Sequence, residues 1–184
     1  MNESQRIRVS KFLSKHLRHT PAAIGIALDA AGWTDIAALL AACAAHGVVL
    51  DRSRLEEIVA TSPKQRFAID ETGRRIRANQ GHSVPVELGL PVLVPPAVLY
   101  HGTGANAVAA ILREGLRPMS RHAVHLSPDV VTATAVGARH GRPVVLVVDA
   151  AGMAAAGHQF ARSDNGVWLV DVVPPLFLSL HQAT

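Results

Sequence analysis

Between residues 6 and 17, Ile7, Val9, Phe12, Leu13 and Leu17 recur near helical spacing. Pro21 holds the residue before it extended, so the pattern predicts a helix ending around His19. A short segment "AIGIAL" follows. Thr34 or Asp35 is placed to cap a helix over "IAALLAACAAH" with Gly47 as its stop, and Ser53 with Glu56 reads as a capping box opening "RLEEIVATS". In "RFAIDETGRRIRA", Phe67, Ile69 and Ile76 alternate with polar residues on either side of a turn at Glu71 to Gly73, which predicts a β-hairpin. Three helices followed by a hairpin is the order of a winged helix, a small module that often binds nucleic acid. Alternation sets Arg66 opposite Phe67 and Ile69, and Arg75 and Arg77 opposite Ile76, giving the hairpin one apolar and one basic face.

The pattern changes over residues 78–97, where "ANQGHSVPVELGLPVLVPPA" carries four prolines and two glycines with little periodicity. It reads as an extended connection between domains. From residue 98 short strands are predicted at "VLYHGT", "VHLSP", "PVVLVVD", "HQF", "GVWLVDVV" and "LFLSL". Asn106 is placed to cap the helix "AVAAILREG", and Asp129 the helix "VVTATAVGARHG". The expected organisation is an α+β chain of two lobes: residues 1–80, a linker over 81–97, and residues 98–184.

Composition supports a packed protein: 49% of the 184 residues are apolar, with the bulk from Ala, Val and Leu and only 4% aromatic. No apolar run reaches the roughly 18 residues of a membrane-spanning helix, and "MNESQRIRVS" lacks the apolar core of a signal peptide, so a cytoplasmic location is expected. The single cysteine, Cys43, lies in an Ala-rich helical run and is expected to be a small buried apolar residue. The net charge of +4 leans toward anionic partners. Much of the basic charge, from Arg6 and Arg8 to Arg75 and Arg77, falls in the first 80 residues. That clustering makes nucleic acid or polyphosphate a serious candidate ligand.

Ten histidines invite a metal, but no HExxH and no Cys/His pair at zinc spacing occurs, and no metal is expected. There is no G-x-S-x-G elbow, P-loop or G-x-G-x-x-G motif either. "YHGT" ends a predicted strand with a histidine, a glycine that lets backbone amides approach a ligand, and a hydroxyl. "HLS" at His125 to Ser127 repeats the arrangement on a second strand. Each alone suits an ordinary strand-to-loop turn; together they favour ligand binding.

The motifs "LSKHLRHTP", "QRFAI", "IRANQGHS", "YHGT", "GLRPMSRHAVHLS", "GARHGRPVVLVVD" and "DNGVWL" occur in the order and spacing found in RNA 2'-phosphotransferases of the Tpt1/KptA type, which the chain resembles from about Arg8 to Leu178. The resemblance implies an N-terminal winged-helix lobe that receives RNA. It implies a C-terminal lobe with an ADP-ribosyltransferase-like antiparallel β fold that binds NAD as a consumed co-substrate. In such enzymes the RNA 2'-phosphate attacks the nicotinamide-bearing ribose carbon of NAD. The ribose 2''-hydroxyl then attacks that phosphate, leaving a plain 2'-hydroxyl and ADP-ribose 1'',2''-cyclic phosphate. The RNA implied is of the tRNA splice-junction type.

By motif, the resemblance places the catalytic set on Arg18, His19, Arg66 and Arg121, with Arg139 a further arginine for phosphate or RNA. Lys15, Arg75 and Arg77 are the other expected RNA contacts. The expected NAD contacts are His101, Gly102, Thr103, His125, Ser127, Asn165 and Val167. Many protein-modifying ADP-ribosyltransferases carry a glutamate where this chain has Val167. A phosphate acceptor is already anionic at neutral pH and needs positioning, not deprotonation. The resemblance implies that His19 is a phosphate clamp and the candidate acid or base of the second step. The alternatives are an ADP-ribosyltransferase that caps terminal phosphates of RNA or DNA, and a winged-helix binding protein with an NAD-sensing domain. A monomer is expected.

Overall fold

The computed structural model describes residues 2–62, 64–119 and 121–182. The chain divides into two compact units, Met1–Gly89 and Leu90–Thr184.

In the first unit, α1 (Glu3–Arg18) opens on a capping box between Asn2 and Gln5 and ends at His19. It buries Val9, Leu13, His16 and Leu17. A 3-10 turn over Pro21–Ile24 leads to the two-residue strand β1 (Thr34–Asp35) and α2 (Ile36–Ala45). Asp35 caps α2 through the Ala38 N–H, at 2.9 Å. Helix α3 (Arg52–Thr61) is capped by Asp51, whose Oδ1 accepts from the Arg54 N–H at 2.8 Å. This corrects the expected Ser53–Glu56 capping box. Asp51 already satisfies an end-of-helix donor with a carboxylate, which is favoured at the positive end of the helix dipole. Ser53 falls inside the helix, and Glu56 pairs with Arg52 instead, at 2.6 Å.

The hairpin forms as the alternation predicts. Strands β2 (Phe67–Ile69) and β3 (Arg75–Ala78) pair antiparallel with Phe67 opposite Ala78, and β1 adds to the other edge of β3. Ile76 is fully buried among Leu13, Leu17, Leu39, Leu55, Ile58 and Phe67, while Arg75 on the other face is exposed. Cys43 is buried in the same core, and desolvation pushes its thiol up to about 11.

The second unit holds two antiparallel sheets. One orders β10 (Leu178–Leu180), β7 (Pro143–Asp149) and β5 (Val98–Gly104). The other orders β4 (Val92–Leu93), β8 (Phe160–Arg162), β9 (Trp168–Val170) and β6 (Val124–Leu126). The Tyr100–Ser127 bridge links them: each residue's N–H donates to the other's carbonyl, at 2.9 and 2.7 Å. The core of the unit gathers Leu99, Leu126, Val148, Met153, Phe160 and Val173.

The helices of this unit are short: α4 (Val108–Glu114), α5 (Val130–Gly137) and α6 (Ala150–Ala155). Asp129 caps α5 as expected, accepting from the Thr132 N–H at 2.7 Å. Asn106 does not cap α4. It lies within a 3-10 turn, Ala105–Ala107, whose backbone receives the Val108 N–H at the Ala105 carbonyl, so α4 starts without a side-chain cap. Helix α5 lies on β5 at glycine distance. A Cβ on Gly102 would stand 1.7 Å from the Ala133 carbonyl oxygen, and one on Gly137 would stand 2.8 Å from the Thr103 oxygen. No helix among the described residues is long and apolar enough to cross a membrane.

Candidate active site

Arg18 is the last residue of α1 and His19 its C-cap, where Lys15 and His16 also lie in the final turn. Cations at this end face the unsatisfied carbonyls of the helix, so the position is electrostatically favourable before any ligand is considered. The segment running away from β3 locks this end in place. Ser83 donates its N–H to the Arg18 carbonyl at 2.9 Å, and Ser83 Oγ is hydrogen-bonded to His19 Nδ1 at 2.9 Å. Gly81, with φ of +85°, brings the backbone to the Arg18 guanidinium, whose Nη1 would lie 3.7 Å from a Cβ there. A side chain at that φ would be strained even though no severe clash awaits it.

The same segment holds Arg66. Asn79 donates its N–H to the Arg66 carbonyl at 2.9 Å, and its Nδ2 to the Gln65 carbonyl at 2.7 Å. Arg18, His19 and Arg66 are thus tied to one stretch, residues 79–83, which even fully extended spans no more than ~17 Å. Arg18 and Arg66 are half-buried, and His19 is exposed. The His19 ring is held through its side chain, and Arg18 and Arg66 through their backbone carbonyls; guanidinium and imidazole groups are of the type that binds phosphate oxygens by charge-assisted hydrogen bonds. Sequence reasoning singled out the three cations but not Asn79, Gly81 or Ser83. Their signal was the unusual polar run "NQGHS" directly after a strand.

The basic face of the hairpin is partly neutralised within the unit. Arg75 Nε donates to Asp70 Oδ2 at 2.9 Å, and its Nη1 lies 3.3 Å from Asp29 Oδ2. Arg75 and Arg77 both lie over the Trp33 ring, at 5.5 and 4.6 Å from its centroid, and Arg77 also reaches the Leu88 carbonyl. Burial alone would raise the Asp70 carboxyl, but hydrogen bonds from Arg75, Thr72 and Arg74 hold it well below the usual carboxylate range. Both arginines therefore have structural partners in addition to the RNA-contacting role expected of them. Lys15 is exposed.

In the second unit the bridge between Tyr100 and Ser127 sets His101 beside the β6 backbone, and His101 Nδ1–H donates to the His125 carbonyl at 3.1 Å. A carbonyl only accepts, so the bond assigns the proton to Nδ1 and leaves Nε2 as the acceptor of the neutral ring. Burial holds His101 below the ordinary imidazole range; the bond to His125 opposes that and the nearby His140 adds to it. Gly102 and Thr103 are buried under α5, while His125 and Ser127 are half-buried. The "DNGV" turn is organised by a residue that sequence reasoning passed over. Ser163, 2% exposed, donates its hydroxyl to Asn165 Oδ1 at 2.7 Å, accepts from the Val167 N–H at 3.2 Å, and donates its own N–H to the Val167 carbonyl. Val167 precedes β9.

Arg121 is exposed, with its N–H donated to the Pro118 carbonyl at 2.9 Å. It follows a loop in which Met119 takes a left-handed φ of 54°, a conformation that side chains other than glycine rarely adopt. Arg139 is exposed in the 3-10 turn Ala138–His140. Among the described residues no group of three or more His, Cys, Asp or Glu is arranged to hold a metal ion.

Comparison with known proteins gives this geometry its context. The sequence model described as RNA 2'-phosphotransferase, Tpt1/KptA family, matches residues 4–172. The chain belongs to that family. It is 56% identical to a probable RNA 2'-phosphotransferase of Streptomyces griseus, over 98% of this chain and all of that protein. It is 58% identical to one of Streptomyces coelicolor, over 97% of each chain. A third, from Trichormus variabilis, is 53% identical over 98% of this chain and 99% of its own length. The family match spans both units, so the segments carrying Arg18, His19, Arg66, His101, Arg121, His125 and Val167 all lie within it.

Proposed function

We propose that this enzyme removes an internal 2'-phosphate from RNA, of the kind left at a tRNA splice junction, using NAD as its second substrate. The reaction yields RNA joined to ADP-ribose through the 2'-phosphate, with release of nicotinamide, and then 2'-hydroxyl RNA and ADP-ribose 1'',2''-cyclic phosphate. The observation that carries the reading is the 79–83 segment, which contacts Arg18, His19 and the backbone of Arg66. On this reading the first unit is a winged helix that receives RNA, and the second an ADP-ribosyltransferase-like fold.

Arg18, Arg66 and Arg121 bind the 2'-phosphate, with His19 as a fourth ligand. The phosphate is anionic at neutral pH, so the first step needs alignment and no general base. The apolar side chain of Val167 suits such an acceptor. In the second step charge builds on the phosphoryl oxygens, and the arginines stabilise it more in the transition state than in the ground state. As the ribose 2''-oxygen bonds to phosphorus and the bond from phosphorus to the RNA 2'-oxygen breaks, His19, oriented by Ser83 through Nδ1, is the group that takes the proton from the 2''-hydroxyl and passes one to the departing 2'-oxygen. His101, Thr103, His125, Ser127 and Asn165 line the NAD site. The pairing of a neutral, oriented His101 with the β6 backbone supports this assignment, because a fixed acceptor at Nε2 can take a hydrogen bond from a ribose hydroxyl.

The test is incubation with NAD and an oligonucleotide bearing one internal 2'-phosphate, followed by identification of the small-molecule product. ADP-ribose 1'',2''-cyclic phosphate is expected, and Arg18→Ala and Arg121→Ala should abolish its formation. Near wild-type turnover by those variants overturns the assignment. ADP-ribose retained on a terminal phosphate, with no cyclic product, would identify a phosphate-capping enzyme instead. In His19→Ala, accumulation of the ADP-ribosylated RNA marks a second-step role, and loss of both steps marks phosphate binding.

A further inference from the structure

We propose that Asn79 is a positioning residue that sets the direction of the Arg66 side chain; the inference rests on the assignment of Arg66 to the 2'-phosphate. Asn79 is 4% exposed and sits one residue beyond β3, where the hairpin pairing would place it across from Arg66. Its backbone N–H and its side-chain Nδ2 take different partners. The N–H donates to the Arg66 carbonyl at 2.9 Å, and Nδ2 donates to the Gln65 carbonyl at 2.7 Å. Those two carbonyls belong to the peptide planes on either side of the Arg66 Cα. One residue therefore fixes both planes, and with them the direction in which the Arg66 Cβ leaves the backbone.

The clamp has something to hold. Gln65 takes φ of 37°, in the left-handed region that a residue with a Cβ rarely adopts. Its N–H is bonded to the Ser62 carbonyl at 2.9 Å, so the loop is closed from one side by Ser62 and from the other by Asn79. The chemistry at the second closure is specific. The Gln65 carbonyl can only accept, so the group facing it must be a donor; an aspartate of the same shape would set a carboxylate against a carbonyl. Loss of this closure leaves Gln65 free to relax out of its strained conformation, which swings the peptide that leads into Arg66. A displacement of the guanidinium by about 1 Å is enough to break a bidentate contact with a phosphate.

The experiment measures equilibrium binding of two short RNAs, one with a single internal 2'-phosphate and one with a 2'-hydroxyl there. The full-length proteins are wild type, Asn79→Ala, Asn79→Asp, Arg66→Ala and the Arg66→Ala/Asn79→Ala double variant, with thermal melts alongside. Both Asn79 variants should lose about tenfold of the preference for the phosphorylated RNA, the scale of a coupled hydrogen-bond network. Their affinity for the 2'-hydroxyl RNA should stay within about twofold of wild type, and Asn79→Ala should add nothing further to Arg66→Ala. The proposal is overturned if Arg66→Ala loses the preference and Asn79→Ala retains it, or if the two losses add in the double variant. It is overturned in favour of a purely scaffolding role if both Asn79 variants melt far below wild type and bind neither RNA. A preference intact in Arg66→Ala overturns the assignment of Arg66 itself, an outcome separate from any behaviour of Asn79.

Discussion

Gly102 is the residue of "YHGT" to which the structure adds a packing role, and Gly102→Ala tests that role. Read from sequence, the glycine lets backbone amides approach a ligand. In the fold, its missing side chain is the space into which α5 packs. A Cβ there would meet the Ala133 carbonyl oxygen at 1.7 Å and the Gly137 nitrogen at 2.9 Å, whereas real Cβ atoms essentially never come closer than 3.0 Å. Both obstacles are backbone atoms, so no rotamer change relieves them. Nor can α5 easily withdraw, because Ala133 is fully buried and Gly137 is itself packed against Thr103. Overpacking a core typically costs 1–3 kcal/mol, and a backbone obstacle places this variant at about 3 kcal/mol, or a fall in Tm of about 6–12 °C for a chain of this length. Gly25→Ala provides the control. Its Cβ would meet nothing within 4 Å, and its penalty is only that of φ +74°, roughly 1–2 kcal/mol. Thermal unfolding followed by circular dichroism should rank wild type above Gly25→Ala and Gly25→Ala above Gly102→Ala. A Gly102→Ala protein that melts within about 1 °C of wild type refutes the packing argument. If that protein has also lost affinity for NAD, the ligand-contact role of Gly102 stands in its place.

Two further predictions rest on single features. Asp51→Ala should destabilise the protein by about 1 kcal/mol while Ser53→Ala stays within roughly 0.5 kcal/mol, in urea titrations of both variants, because Asp51 and not Ser53 caps α3. Burial holds the folded-state pKa of His101 below that of the unfolded chain, so the unfolded chain takes up its proton first as the pH falls. The stability of wild type relative to His101→Gln should therefore decline as the pH drops from 7 to 5 and hold constant above about 7, measured as the difference in unfolding free energy at each pH.

The local elements were readable because each rests on short-range physics. Period 3.6 in α1, the alternation around Ile76, the aspartate caps at Asp35 and Asp129 and the strand at "VLYHGT" all appear where the residues put them. The capping reading failed at Ser53 and at Asn106 for one reason. A cap is decided by which acceptor reaches the first free N–H, and Asp51 and the 3-10 turn reached it first. Strand β4 lies in a proline-rich stretch with no alternation to reveal it, and exists through its pairing with β8.

For the site, sequence by itself determined the chemistry on offer: cations at the end of α1, an arginine opening the hairpin, a pair of strand-borne histidines, and an apolar Val167 after "DNG". Those choices are encoded in residue type and order, which the motifs preserve. Tertiary structure alone decided what holds them. That Ser83 orients His19, that Asn79 grips the peptides around Arg66, and that Gly102 admits a helix all depend on residues brought together across a fold. Hydrogen bonds and close approaches of this kind have no periodicity; a polar run such as "NQGHS" marks where partners are offered, but which partners they meet is set only when the backbone has closed.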